Sequence, residues 1–212
     1  MHRRLPHRFS PILTPVSSER EGANPRIHIY GHVSSQPKAL AELFGAVHSN
    51  QPIAESDLAI FAINPAAGID QETIDLWSAL TDFQLPRLVV VNELEGSDSD
   101  FDDAVLLANR VFDPLVTPYL VLHDDAGNPS ALIDLETLEI IDYSQSPTSR
   151  RDSDAEHKEL VADFRIEYLE AVEDAGESAF EAGLLFPAIP VVISKGIGVD
   201  IVNAFIERVA KS

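Results

Sequence analysis

The chain has 212 residues, with 15 Lys and Arg against 35 Asp and Glu, a formal charge of -20, no cysteine and 45% hydrophobic residues. This is a globular composition, sized for one α/β domain with at most a small insertion, and it leaves no disulfide framework, thiolate zinc site or cysteine nucleophile. The charge opposes approach to a nucleic-acid backbone or an anionic bilayer, and no apolar run nears the roughly 20 residues that span one, so neither is an expected partner; composition does not fix the compartment, and the expected location is cytoplasmic.

Residues 1–25 carry Arg3, Arg4, Arg8 and Arg20 among Ser and Pro, with no acid before Glu19. The segment has the composition of a transit peptide but neither an apolar h-region nor an amphipathic helix, so it reads as a disordered basic tail. From Arg26 onward short apolar runs alternate with stretches of helical period, the pattern of a βα-repeating parallel sheet. The predicted strands are Ile27–Tyr30, Leu58–Ile63, Leu88–Val91, Tyr119–Leu122 and Ile189–Ile193. They lack polar alternation, as strands covered on both faces do.

Helical spacing links Leu40, Leu43, Phe44 and Val47, then Phe101, Val105 and Ala108, and finally Ile201, Val202, Phe205, Ile206 and Val209. Asp70 is placed to cap a helix that carries Ile74 and Trp77. Around the turn cluster Asp124–Pro129, the runs Tyr119–Leu122, Ala131–Leu135 and Leu138–Ile141 predict a small antiparallel meander. A polar linker, Ser144–Ser149, then leads to a long helix with the stripe Leu160, Phe164, Tyr168 and Val172, ending near Gly176. The expected organisation is a single domain over residues 26–212, with an insertion at about 117–183.

The loop Gly31–Lys38, between the first strand and first helix, stands where a nucleotide-binding α/β fold holds phosphate. A G-x-x-x-x-G-K-[ST] loop needs glycines for backbone approach, N–H groups around the phosphates, a lysine and a magnesium-binding hydroxyl. Counted from Gly31, the last three positions are Gln36, Pro37 and Lys38. Proline deletes a donor, Gln36 tolerates positive φ poorly, and Lys38 is one residue late. If Lys38 is instead taken as the phosphate lysine, Pro37 replaces the glycine and Ala39 the hydroxyl.

On these residues the chain resembles the GTP-binding domain of elongation factor G and the ribosomal-protection GTPases. Gly31-His32-Val33 reproduces the opening of that family's first motif. LAIFAINPAAGIDQETIDLW and LPRLVVVNELE are similar to its later strands and base-reading motif, GNPSALIDLETLEIIDY to its insertion hairpin, and PAIPVVISKGIGVDIVNAFIERV to its closing strand and helix. The resemblance covers nearly everything after Arg26. It implies a three-layer, mostly parallel sheet of the P-loop NTPase kind with a small α+β insertion.

The departures bear on activity. Only His48–Asp57 fills the gap that in GTP-hydrolysing relatives holds both switches, and no Asp-x-Pro-Gly occurs. Water positioning and magnesium contacts are then missing, and family-type hydrolysis is expected to be absent. Asn92-Glu93-Leu94-Glu95 puts an acid in place of the stacking lysine and a longer carboxylate in place of the base-reading aspartate. Ser194 matches the final motif, while Lys195 replaces an alanine and either crowds the base pocket or forms a surface ion pair.

Other constellations are weaker. Glu95, Asp98, Asp100, Asp102 and Asp103 lack EF-hand spacing and read as a solvated helix start, and His123-Asp124-Asp125 reads as a turn. No G-x-S-x-G, H-E-x-x-H or G-x-G-x-x-G motif signals another enzyme.

Two readings stand. The first is a non-catalytic pseudo-GTPase module with no cofactor and no metal, binding a basic or translation-related protein. The second is a weak GTP or GDP binder, or very slow GTPase, using Gly31, His32, Ser34, Ser35, Lys38, Asn92, Glu95, Ser194 and Lys195. Direct translocation is not expected of a chain ending at Ser212.

Overall fold

The structure, a computed structural model, describes residues 24–95 and 100–212. Nearly all of the basic tail, and Asp98, lie outside the described residues. In chain order the first half comprises β1 (Ile27–Tyr30), α1 (Pro37–Phe44), β2 (Val47–His48), β3 (Leu58–Ile63), α2 (Gln71–Thr81), β4 (Arg87–Val91) and α3 (Phe101–Ala108). The second half comprises β5 (Leu115–Val116), β6 (Tyr119–His123), β7 (Pro129–Asp134), β8 (Glu139–Asp142), β9 (Ser149–Asp152), α4 (Ala155–Leu160), α5 (Ala162–Ala175), β10 (Phe186–Pro190) and α6 (Val199–Lys211).

Six of these strands form a parallel sheet in the order β2-β1-β3-β4-β10-β5. Every residue of β3, β4 and β10 is buried, so both faces of the sheet are covered, as the unbroken apolar runs predict. The other four strands form an antiparallel sheet, β6-β7-β8-β9. Its Leu132 and Ile141 join the main core, while Leu120, Ile133 and Ile140 form a second core with Val161 and Tyr168 of the helical arm.

At the base of the parallel sheet, Trp77 stacks on Phe112 at 4.3 Å between ring centroids and meets Phe61 edge-on at 4.9 Å. Arg87 is 2% exposed and packs against the rings of both Trp77 and Phe186, at 4.3 and 4.2 Å from their centroids. Its guanidinium donates to Asp113 Oδ2 at 3.2 Å, and Trp77 Nε1 donates to the same oxygen at 3.0 Å. Burial pulls the pKa of this arginine down, and the Asp113 carboxylate opposes that shift.

Several sequence-derived boundaries move. Val47 is not helical: Gly45, at φ 62°, ends α1, and Val47 pairs with His28 as an edge strand. The last strand of the sheet is Phe186–Pro190 rather than Ile189–Ile193, because Phe186 and Pro187 pair with Leu115 and Val116 while Ile193 enters a 3-10 turn. The meander has a fourth strand, β9, which begins inside the polar linker at Ser149 and whose sequence Ser-Arg-Arg-Asp carries no apolar signal. The long helix is two helices broken at Val161, which turns inward with 2% exposure. Leu160 and Phe164 of its proposed stripe are exposed instead.

The start of β1 is fixed by polar contacts. Arg26 donates to Asp57 through its backbone N at 2.8 Å and its Nη2 at 3.0 Å, and His28 Nδ1 lies 2.6 Å from Ser56 Oγ. Burial, then the Arg26 charge, hold the His28 imidazole below its usual pKa of 6.5. The unfolded chain therefore takes up a proton that the folded chain refuses. The His28 contribution to stability is fully present above pH 6.5 and is lost as pH drops from there through the lower folded value. Urea midpoints at pH 7.5 and 5.5 should show this loss, and His28→Gln should shrink the difference between them; an unchanged difference in that variant would assign the loss to other groups.

Candidate functional site

The chain winds outward in opposite directions from β1 and β3, so the crevice at their C-terminal ends is the topological switch point where open α/β sheets bind ligands. The loop after β1 and the loop after β3 meet there. Gly31 leaves β1 at φ 149° and a Cβ on it would lie 2.4 Å from the Ala62 carbonyl oxygen, so the close approach of two backbones requires glycine. His32 then caps a 3-10 turn, Val33–Ser35, and Gln36 adopts φ 50°, ψ 46° before Pro37 opens α1. Gln36 thus takes the left-handed conformation that glutamine tolerates poorly. Its side-chain Nε2 is occupied by Glu93 Oε1 at 2.5 Å, and proline at the first helical position needs no N–H partner.

Three backbone donors at this turn are used internally. Ser34 N donates to His32 Nδ1 at 3.2 Å, Ser35 N to the His32 carbonyl at 2.9 Å and Gln36 N to the Val33 carbonyl at 3.1 Å, while Pro37 has none. Carbonyls of the turn are held from outside: Asn64 Nδ2 donates to Ser34 O at 2.8 Å and Asn92 Nδ2 to Ser35 O at 2.6 Å. Asn92 is fully buried and its Oδ1 has no partner among the described residues. Asn64 is the member of this arrangement that sequence reasoning missed; its only signal was an Asn-Pro pair at a strand end, which marks a turn.

The residues beyond Asn92 form a second group. Ser194 Oγ donates to Glu95 Oε2 at 2.5 Å, and Lys195 Nζ stands 3.4 Å from Glu95 Oε1 while donating to the Pro129 carbonyl at 2.9 Å. Of the nine residues singled out from sequence, the structure joins His32 with Ser34, Ser35 with Asn92, and Glu95 with Ser194 and Lys195. Lys38 makes no polar contact with the other eight. It lines a cleft of about 330 Å3 beside the loop, together with His32, Pro37, His48, Asp70 and Leu76.

Asp100 and Asp124, from the two acid-rich segments, serve local structure. Asp100 accepts from Asp103 N at 2.9 Å as the cap of α3. Asp124 accepts from Asn128 N and Ala126 N, both at 2.9 Å, and these turn donors hold its carboxyl below the usual range.

A mostly parallel α/β sheet with a glycine-led loop after its first strand and an antiparallel insertion before its closing strand defines a domain of the P-loop NTPase kind. No family model matches the chain. The elongation factor G-like protein of Mycobacterium tuberculosis H37Rv is 27% identical over 167 residues, covering 68% of this chain and 23% of that protein. The elongation factor G-like protein of Thermotoga maritima is 22% identical over 179 residues, covering 74% and 26%. The mitochondrial ribosome-releasing factor 2 of Drosophila yakuba is 30% identical over 96 residues, covering 44% and 13%.

A crystal structure from Thermus thermophilus superposes with a TM-score of 0.62 at 23% identity, over 72% of this chain and 26% of that one. Over this span the chain resembles the elongation factor G-like proteins in sequence, and the Thermus thermophilus structure in fold. It spans about a quarter of the length of the elongation factor G-like relatives.

Proposed function

We propose that this domain is a non-catalytic, GTPase-derived interaction module whose partner is a basic or translation-related protein in the cytoplasm. The observation that carries the reading is the hydrogen bonding of the loop after β1. A phosphate nest needs successive N–H groups turned into one concavity. Here the donors of Ser34, Ser35 and Gln36 are spent within the turn, and the next residue is proline. Freeing them means breaking the 3-10 turn and the Asn64 and Asn92 contacts that brace it.

The sequence adds the missing switches and Glu93, whose carboxylate now serves Gln36. Partner binding is supported by a surface with a formal charge of -20 and by the arm α4–α5. There Leu160, Phe164 and Ile166 are exposed among Glu159, Asp163 and Glu167. Apolar anchors within an acidic rim fit a basic protein surface better than a lipid or nucleic-acid one. No helix of the described residues is long and apolar enough to cross a membrane.

One observation favours the second reading, a weak guanine-nucleotide binder: the buried Asn92 Oδ1, an acceptor without a donor among the described residues. Calorimetry with GTP, GDP and ATP, with and without magnesium, separates the two, alongside thermal shift at millimolar ligand. The interaction-module reading expects no saturable heat and no shift. Guanine-specific binding, even with a sub-millimolar Kd, would raise stability by about 1 kcal/mol or more at such concentrations and would replace this reading with the second.

A further inference from the structure

The connection from β10 to α6 makes polar contacts with two different parts of the molecule. At its first end Ser194 and Lys195 hold Glu95, in the loop after β4. Lys195 also donates to the Pro129 carbonyl at the start of β7. At its second end Asp200 accepts from the Tyr143 hydroxyl at 2.6 Å, just past β8, and lies 3.8 Å from Arg150 of β9, which itself stands 3.7 Å from Glu139 of β8.

Between these ends the segment is fixed on itself. Val192 and Ile197 exchange two backbone hydrogen bonds, Val192 N to Ile197 O at 3.1 Å and Ile197 N to Val192 O at 3.2 Å. Ile197 and Gly198 are buried, and a Cβ on Gly198, at φ 74°, would lie 2.0 Å from the Pro190 carbonyl oxygen. The turn is therefore seated directly on β10, and its two ends cannot shift independently without breaking that pair of hydrogen bonds.

The geometry points to Ile193–Asp200 as a clasp that grips the insertion sheet at Pro129 and Tyr143 and ties it to the Asn92–Glu95 loop, so that disturbance of either is felt at the other. A partner engaging the acidic loop after β4 then loosens the insertion, and a partner engaging the insertion loosens that loop. This does not depend on whether nucleotide binds. Its carriers are few and partly exposed, Glu95 at 42% and Lys195 at 34% of side-chain area, so the clasp is of the strength that a binding event can open.

Hydrogen exchange on the full chain tests it. Lys195→Met, which keeps the aliphatic stem, should raise deuterium uptake several-fold over residues 129–134, with β3 and β4 amides unchanged. The decisive variant is Asp200→Asn, which touches only the insertion end. Its uptake should rise at residues 92–95, beyond any contact that Asp200 makes, and Lys195→Arg should restore wild-type exchange in the first case. Unchanged exchange at 92–95 in Asp200→Asn would reduce the segment to two unrelated contacts and overturn the inference. Faster exchange in β3 and β4 as well would signal general destabilisation and overturn it equally.

Discussion

Arg87→Ala is expected to lower folding stability by about 3 kcal/mol, read as a drop in the urea midpoint at unchanged slope. The loss comes mainly from packing. The guanidinium packs on both Trp77 and Phe186, which meet edge-on at 5.4 Å, and its removal leaves a void at their junction. Asp113, 39% exposed, rehydrates at little cost and keeps the Trp77 Nε1 bond. The Arg87 Nε has no partner among the described residues, a further sign that the stack outweighs the ion pair. Arg87→Met, which refills the volume without charge, should then fall within about 1 kcal/mol of the parent. If methionine proves as damaging as alanine, the polar contacts to Asp113, Thr81 and the Trp77 carbonyl carry the stability instead.

Gly31→Ala should cost about 3 kcal/mol, combining a backbone conformation alien to L-residues with overpacking against Ala62. The added methyl group would meet the Ala62 carbonyl oxygen at 2.4 Å and Ser35 Oγ at 2.8 Å, and both residues are buried. Lys38→Ala, by contrast, removes an exposed side chain without a polar partner among the described residues and should lie within about 0.5 kcal/mol of the parent. The pair separates two explanations for the residues that look like a phosphate motif. Glycine at position 31 has a packing reason that holds with or without phosphate; Lys38 has none. Equal, small effects at both positions would remove the packing reason.

The parallel sheet was legible because strands buried on both faces leave unbroken apolar runs: β1 and β3 fall on the residues that periodicity picks out. The Asp70 cap was legible for a similar reason, since a carboxylate three residues ahead of Thr73 N has one obvious use. What failed depended on partners distant in sequence. β10 starts at Phe186 because Leu115 lies beside it, and β9 is a strand only because Ile140 and Ile141 offer it an edge. The stripe from Leu160 to Val172 obeys helical period, yet the arm turns at Val161 and presents part of that stripe outward.

At the site, residue identities pointed to the right loops but not to how their atoms pair. Asn92 stands in a motif similar to a base-reading one, and its amide braces Ser35. Lys195, left open between crowding a pocket and pairing at the surface, pairs with Glu95 and with a carbonyl of the insertion. Asn64 escaped notice because a side-chain amide donating to a carbonyl thirty residues away leaves no periodic trace.

The strands at the ends of both sheets restrict how anything can attach to them. The parallel sheet ends in β2 and β5, each only two residues long. The antiparallel sheet ends in β9, with two arginines in its four residues, and in β6, whose register slips between Leu122 and His123. No border among the described residues offers the long, regular row of free N–H and C=O groups that strand addition or fibril growth requires. Short, charged or irregular borders thus disfavour self-association by backbone pairing and leave side chains on the helices and loops as the surface that a partner reads.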